Sequence, residues 1–330
     1  MTILLNGSRR SFLKASAASA TASFWVPSLV RAQESNLRWA NLAPGFTTLV
    51  TEYMLAKGLD KANGLNLGKP TAYTAVTTYY NDFVAGNYDV CIGSWDTFAS
   101  RYLAGVPVQY VCTVTTANMI NIVAPADGPS SIRGLGGKTV AAPQSTGTYR
   151  MTRALIKEID GFDIETQTTV QNVDNPAAPI TLLMANRADA ALSWEPNISV
   201  GLKRMSGMKV LYSAGAAYNK KYGMDLPYFG VGVHKDLAQR NPQLVARLNN
   251  AFRDCLAGIN GNVEDAVNVA GANSGIPPEV LRDAISSKRL EFKHVSMAND
   301  AGKQTLRIAS QFLQRNGLLP KAIDDGFFAL

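Results

Sequence analysis

Short apolar runs alternate with stretches of helical apolar spacing along most of this chain. The pattern is clearest around residue 145. Gly137-Lys138-Thr139-Val140 reads as a strand entered through a Gly-rich turn, and Met151 to Ile159 carries the i, i+3, i+4 spacing of a helix. Between them lies Ala141-Ala142-Pro143-Gln144-Ser145-Thr146-Gly147-Thr148-Tyr149-Arg150, a strand-to-helix corner. Such a corner offers unpaired backbone N–H groups, small hydroxyls and the positive end of a helix dipole, and so suits an anion. Ser145 or Thr146 can equally do no more than cap its own helix.

The same corner occurs earlier, in Leu37 to Leu42 followed by Ala43-Pro44-Gly45-Phe46-Thr47-Thr48. Each copy is followed by a second matching unit. Asn87-Tyr88-Asp89 leads into a strand ending Ser94-Trp95, and Asn186-Arg187-Ala188-Asp189 into one ending Ser193-Trp194. Ala43 to Trp95 and Ala142 to Trp194 are the same step of 52 residues. One internal repeat of this kind predicts two similar α/β lobes. Ligands of open parallel sheets bind beyond the carboxyl ends of the strands, so four such loops are expected around one cleft.

The remaining elements follow the same pace. A helix is expected from Leu49 to Lys61, strands at Thr71–Val76, Asp89–Gly93 and Val106–Val114, and a crossing near Asn118 to Ala124. In the second half, strands are expected near Thr168–Val173, at Ala188–Ser193 and at Lys209–Tyr212. The apolar run Leu226 to Val233 returns the chain. From Pro242 the pattern is helical: Leu244–Ile259, Val263–Ala270, Pro278–Ser286 and Asp300–Asn316, packed back on the first lobe. The division expected is residues 33–118 with 237–330 as the first lobe and 119–236 as the second.

The first 32 residues stand apart. Ser8-Arg9-Arg10-Ser11-Phe12-Leu13-Lys14 precedes a mildly apolar, Ala/Ser-rich run and the small-residue site Val30-Arg31-Ala32, which reads as a twin-arginine export signal. The run is too short and too rich in serine for a membrane span. The signal holds four of the 32 basic residues and none of the 25 acidic ones, so the formal charge of +7 falls to +3 beyond it. The remaining basic residues are scattered, which argues against a nucleic-acid partner. Cys91, Cys112 and Cys255 sit in apolar surroundings without clustered spacing. Buried free thiols are expected rather than a Cys91–Cys112 bridge, and neither a metal site nor a cofactor is expected.

Taken together, Gly86-Asn87-Tyr88-Asp89-Val90, Leu135 to Val140 with its Ser/Thr-Gly loop, Asn186 to Ala191, Trp194-Glu195-Pro196 and Tyr228 to Val233 resemble the periplasmic solute-binding proteins of ABC importers. The resemblance is greatest to the taurine, alkanesulfonate, nitrate and thiamine-precursor group, and it spans nearly the whole chain after the signal. It implies a two-lobed type II periplasmic-binding-protein fold, each lobe a mostly parallel sheet flanked by helices, with two crossover strands as hinge. It also implies a monomer in the periplasm that captures a small anionic or zwitterionic solute and delivers it to an inner-membrane permease.

The resemblance places ligand donors at Ser145, Thr146 and Thr148, with Phe46 and Thr47 at the equivalent corner and Thr115 or Thr116 as a further donor. Trp95 and Trp194 are cleft walls or core packers. Glu195 either accepts from a ligand amine or braces its own turn, and Asp96 and Asp174 read as helix caps. Sulfonates, nitrate, aromatic acids and pyrimidines all stay open as solutes, and signalling to a membrane receptor stays open beside transport. Thiamine-pyrimidine synthases share the fold, but their chemistry relies on histidine and a Cys-rich iron-binding stretch. Here only His234 and His294 occur, away from the cleft loops, the cysteines are dispersed, and there is no nucleophile-elbow motif. No enzyme activity is expected.

Overall fold

Val90-Cys91-Ile92 and Val108 to Thr115 are buried at every position, which requires cover on both faces of the sheet that holds them. The computed structural model describes residues 35–330, so the export signal lies outside the described residues. The first part of the chain runs β1 (Ser35–Leu37), β2 (Trp39–Leu42), α1 (Phe46–Ala56), α2 (Leu59–Ala62), β3 (Leu65–Leu67), β4 (Thr71–Tyr73), α3 (Val76–Val84), β5 (Val90–Ser94), α4 (Trp95–Leu103) and β6 (Val108–Thr115). It then crosses to β7 (Ile120–Ala124), β8 (Thr139–Ala142), α5 (Gly147–Asp160), α6 (Ile164–Gln167), β9 (Thr169–Asn172), α7 (Ala178–Met184), β10 (Ala190–Trp194), α8 (Asn197–Arg204), β11 (Lys209–Ser213) and α9 (Ala214–Tyr222). It returns through β12 (Phe229–His234) and ends with α10 (Lys235–Arg240), α11 (Pro242–Gly261), α12 (Val263–Ala270), α13 (Pro278–Ser286), β13 (Phe292–Ser296) and α14 (Asp300–Arg315).

Two sheets result. The six-stranded sheet has the order β13-β6-β12-β5-β2-β4 and the five-stranded sheet the order β11-β7-β10-β8-β9, while β1 and β3 form a separate parallel pair. By strand order, β2 corresponds to β8, β4 to β9, β5 to β10 and β6 to β11. The strand inserted between the last two is β12 in one lobe and β7 in the other, so the repeat extends to topology. In each lobe the repeated strands supply the parallel pairs, β5-β2-β4 and β10-β8-β9. The inserted strand enters from the opposite lobe and runs antiparallel to both neighbours.

Because β12 lies between β5 and β6, the chain is back in the first lobe by Phe229, ahead of the boundary expected at 237. The reason is register. Val231 and Val233 fill the first-lobe core, so the crossing itself is confined to the stretch just before Tyr228. The two crossing segments run side by side: Tyr228 N–H donates to Thr115 O at 2.9 Å and Ala117 N–H to Leu226 O at 2.8 Å.

Local deviations have local causes. The helix expected from Leu49 to Lys61 is broken because Gly58 adopts φ 61°, which turns the chain between α1 and α2. The tail is not wholly helical, since β13 adds an edge strand to β6. α11 buries Leu244, Val245, Leu248, Ala251, Phe252, Cys255, Leu256 and Ile259, the stripe an amphipathic helix presents to a core. It packs with α12 on α1, while α13 also reaches α8 of the second lobe. Cys91, Cys112 and Cys255 are free and buried, as expected from their apolar settings.

Candidate functional site

Repetition sets the geometry between the lobes. Each Trp at the end of a repeated strand is followed by an acid, Trp95-Asp96 in the first lobe and Trp194-Glu195 in the second. Both acids are wholly buried, and each is held by an arginine of the other lobe. Arg150, on α5, donates from Nε to Asp96 Oδ2 at 2.7 Å and from Nη2 to Thr97 Oγ1 at 2.7 Å. Arg289, in the tail of the first lobe, donates from Nε to Glu195 Oε1 at 2.9 Å and from Nη2 to Ser199 Oγ at 3.0 Å. Two reciprocal ion pairs therefore join the lobes.

The two acids differ in how fully they are engaged. The second oxygen of Glu195, Oε2, accepts from the Ser199 backbone N–H at 3.0 Å, at the first turn of α8. Burial pushes the Glu195 carboxyl up, against Ser199 and Arg289, which favour the charge. Asp96 Oδ1, in contrast, has no hydrogen-bond partner although it is buried. It faces Gly147 at the start of α5, where a Cβ would overlap it and would also meet Ser94 Oγ. The lobes approach this closely only because residue 147 has no side chain.

An aromatic group lies between the lobes. Phe229 packs edge-on to Phe46 at 5.0 Å and to Tyr228 at 4.6 Å, and lies 6.4 Å from Trp194 of the second lobe. All four rings are buried. The Tyr228 hydroxyl is hydrogen-bonded to Thr148 Oγ1 across the lobes, and burial raises its pKa well above the ordinary tyrosine value.

Of the residues expected in the cleft, the structure brings Phe46, Thr148 and Trp194 to the aromatic group between the lobes, and the others take other places. Trp95 is buried and donates from Nε1 to Pro227 O at 2.8 Å, anchoring α4 to the crossing segment. Thr146 caps α5, accepting from Tyr149 N–H and donating to Pro143 O at 2.7 Å. Thr47 closes its own corner through Leu42 O at 2.8 Å. Thr116 donates to Glu291 Oε2 at 3.1 Å, within the crossing region, and Thr115 accepts from Phe229 N–H. Ser145 is exposed, and its contact with Arg150 is through its carbonyl oxygen, so its hydroxyl is not among the groups that meet between the lobes. Glu195 braces: both oxygens are committed to protein donors.

Asp174 does cap a helix, but one in the opposite lobe, accepting from the Thr77 hydroxyl at 2.8 Å and the Thr77 N–H at 3.2 Å at the start of α3. Asp96 is an ion-pair partner rather than a cap. Arg150, Tyr228, Phe229 and Arg289 were not singled out from the sequence. The available signal was the repeated Trp-acid step, which marks both carboxylates as equivalent.

Two lobes of one topology, paired crossing segments, and aromatic and charged side chains meeting between the lobes define the two-lobed type II periplasmic-binding-protein fold. Residues 51–262 match the family described as NMT1/THI5 like, and the chain belongs to that family. Similar solved structures include the periplasmic aliphatic sulphonate binding protein SsuA from Escherichia coli, at 16% identity, covering 88% of this chain and 91% of that one with a TM-score of 0.68. The alkanesulfonate-binding protein SsuA from Xanthomonas axonopodis pv. citri, bound to MOPS, is 15% identical with a TM-score of 0.70 over 88% and 96%. A putative periplasmic sulfonate-binding protein SsuA from Methylobacillus flagellatus is 20% identical with a TM-score of 0.61 over 88% and 90%. No curated protein matches the sequence significantly.

Proposed function

We propose that this protein captures a small anionic or zwitterionic organic solute between its lobes, in the manner of the sulfonate-binding neighbours, and delivers it to an inner-membrane ABC permease. The observation that carries this reading is that, between the lobes, Tyr228 joins the Phe46–Phe229–Trp194 aromatic group to Thr148 at the N-terminal turn of α5, the same turn from which Arg150 reaches Asp96 at the start of α4. Apolar walls with a few convergent polar groups are what small-solute sites require. A helix N-terminus beside a guanidinium favours an acid group. Closure about the paired crossing segments would then present one lobe arrangement to the permease and another in its absence.

Binding rather than catalysis fits the placement of the histidines. His234 ends β12 with its ring 4.6 Å from Phe83, and His294 on β13 lies 3.1 Å from Asn249 Oδ1, neither among the groups that meet between the lobes. Export through the twin-arginine route, carried by the Arg9-Arg10 signal, and action as a periplasmic monomer complete the proposal.

The test is isothermal titration of the protein with alkyl and aryl sulfonates, nitrate, aromatic carboxylates and aminopyrimidines. Binding of one class, weakened at least tenfold in Thr148→Ala and Trp194→Ala, is expected. Binding that survives both substitutions unchanged would place the solute elsewhere and overturn the proposal.

A further inference from the structure

The two reciprocal ion pairs are not equivalent, and the difference bears on which solutes the protein accepts. Glu195 has both oxygens engaged, by Arg289 and by the Ser199 backbone N–H. Each of its oxygens already holds a protein donor. Asp96 is equally buried, yet Oδ1 has no partner and Oδ2 depends on Arg150. Arg150 is also the cation that stands beside Thr148 at the first turn of α5.

Consider a solute entering between the lobes at this pair. A simple anion that draws Arg150 to itself removes the counter-ion of Asp96 and leaves a wholly buried carboxylate unpaired. It also sets a second negative charge beside that carboxylate. Both effects are costly. A simple cation paired to Asp96 leaves the part-exposed Arg150 guanidinium with only Thr97 Oγ1 and Ser145 O. A solute that carries an acid and a protonated nitrogen exchanges one internal ion pair for two and supplies a donor to the unpartnered Oδ1. Charge is conserved and no buried group is stranded.

We infer that Asp96 and Arg150 are the specificity-determining pair, selecting solutes that bring both an acid group and a cationic nitrogen and that exchange with the ion pair between the lobes. The inference rests on the reading of the gap between the lobes as the solute site. Through Tyr228, packed on Phe229 and bonded to Thr148, the Phe46–Phe229–Trp194 group supplies an apolar surface linked to the same turn of α5. Gly147 lets α5 lie directly against Asp96 Oδ1, so a solute reaches the pair when the lobes part and exchanges with it as they close.

The experiment is calorimetric titration of the full chain with size-matched probes: 2-aminoethanesulfonate and 3-aminopropanesulfonate as zwitterions, ethanesulfonate as the anion, and ethylamine as the cation. At least one zwitterion is expected to bind tenfold or more tightly than ethanesulfonate. In Asp96→Asn the ratio of zwitterion to ethanesulfonate affinity is expected to fall at least tenfold. Arg150→Gln is expected to weaken both acids. Melting temperatures of both variants verify folding, and the wild-type preference stands as a test even where a variant does not fold. Ethanesulfonate binding as tightly as both zwitterions overturns the inference and leaves solute capture standing. A zwitterion preference unchanged in folded Asp96→Asn does the same. Loss of binding to every class in the broader titration above overturns the parent reading as well.

Discussion

Glu195 and Arg289, 94 residues apart in sequence, meet at 2.9 Å between lobes, and Glu195 has no exposed surface. Arg289 is about a quarter exposed and retains Asp283 at 2.6 Å. Removing the two partners is therefore unequal. Arg289→Met leaves a buried carboxylate without its cation and is expected to destabilise folding by about 2–4 kcal/mol. Glu195→Gln leaves a part-exposed arginine that keeps another partner and is expected to cost about half as much. Urea unfolding of the two variants measures this, and equal losses would show that burial of the acid is not the deciding quantity.

Gly147 sits where a Cβ would overlap Asp96 Oδ1. Gly147→Ala favours helix formation in α5 on its own, yet it holds the lobes apart. Parting them breaks the Asp96–Arg150 pair, so we expect a lower melting temperature together with a larger radius of gyration by small-angle X-ray scattering. An unaltered scattering curve would mean that the second lobe adjusts locally.

Trp194 is the tryptophan in contact with Phe229 of the other lobe, at 6.4 Å, whereas the indole N–H of Trp95 is tied to Pro227 O. Any motion of the lobes therefore changes the surroundings of Trp194 first. Trp194→Phe is expected to abolish most of the fluorescence change that accompanies solute binding, and Trp39→Phe to leave it. A signal retained in Trp194→Phe would place the moving contact elsewhere.

Burial opposes the charge of Glu158, but Lys221, the Tyr222 hydroxyl and Asn316 outweigh it and lower the carboxyl from 4.5 to about 2. Lys221 Nζ lies at 2.7 Å and Asn316 Nδ2 at 2.6 Å. A carboxylate whose pKa falls on folding contributes stability that is complete above about pH 4.5 and lost as pH drops towards 2. Glu158→Gln is expected to lose on the order of 1 kcal/mol at pH 7, allowing for solvent screening. The difference from wild type closes as pH falls below 4.5. A constant difference from pH 7 to pH 3 would remove the charge from the explanation.

Much of the fold was legible in order along the chain. α12 and α13 fall at Val263–Ala270 and Pro278–Ser286, as their apolar spacing predicts, and the 52-residue step marks equivalent corners in the two sheets. β13 was not legible, because Phe292 to Ser296 carries His and Lys and has no apolar run. Of the site, Phe46, Thr148 and Trp194 were marked by position after repeated strands. Arg289 was not, since nothing around it in sequence distinguishes it from other surface arginines.

The sequence by itself determined the alternation of strands and helices, the repeat, and the presence of one acid after each repeated tryptophan. These depend on local spacing, which each segment carries alone. Only the tertiary structure decided which of those acids is spent on bracing and which keeps a free oxygen. That outcome depends on Arg150, Arg289 and Ser199 arriving from distant segments. A buried carboxylate is governed by the donors that reach it, and those are set by how two lobes close on each other.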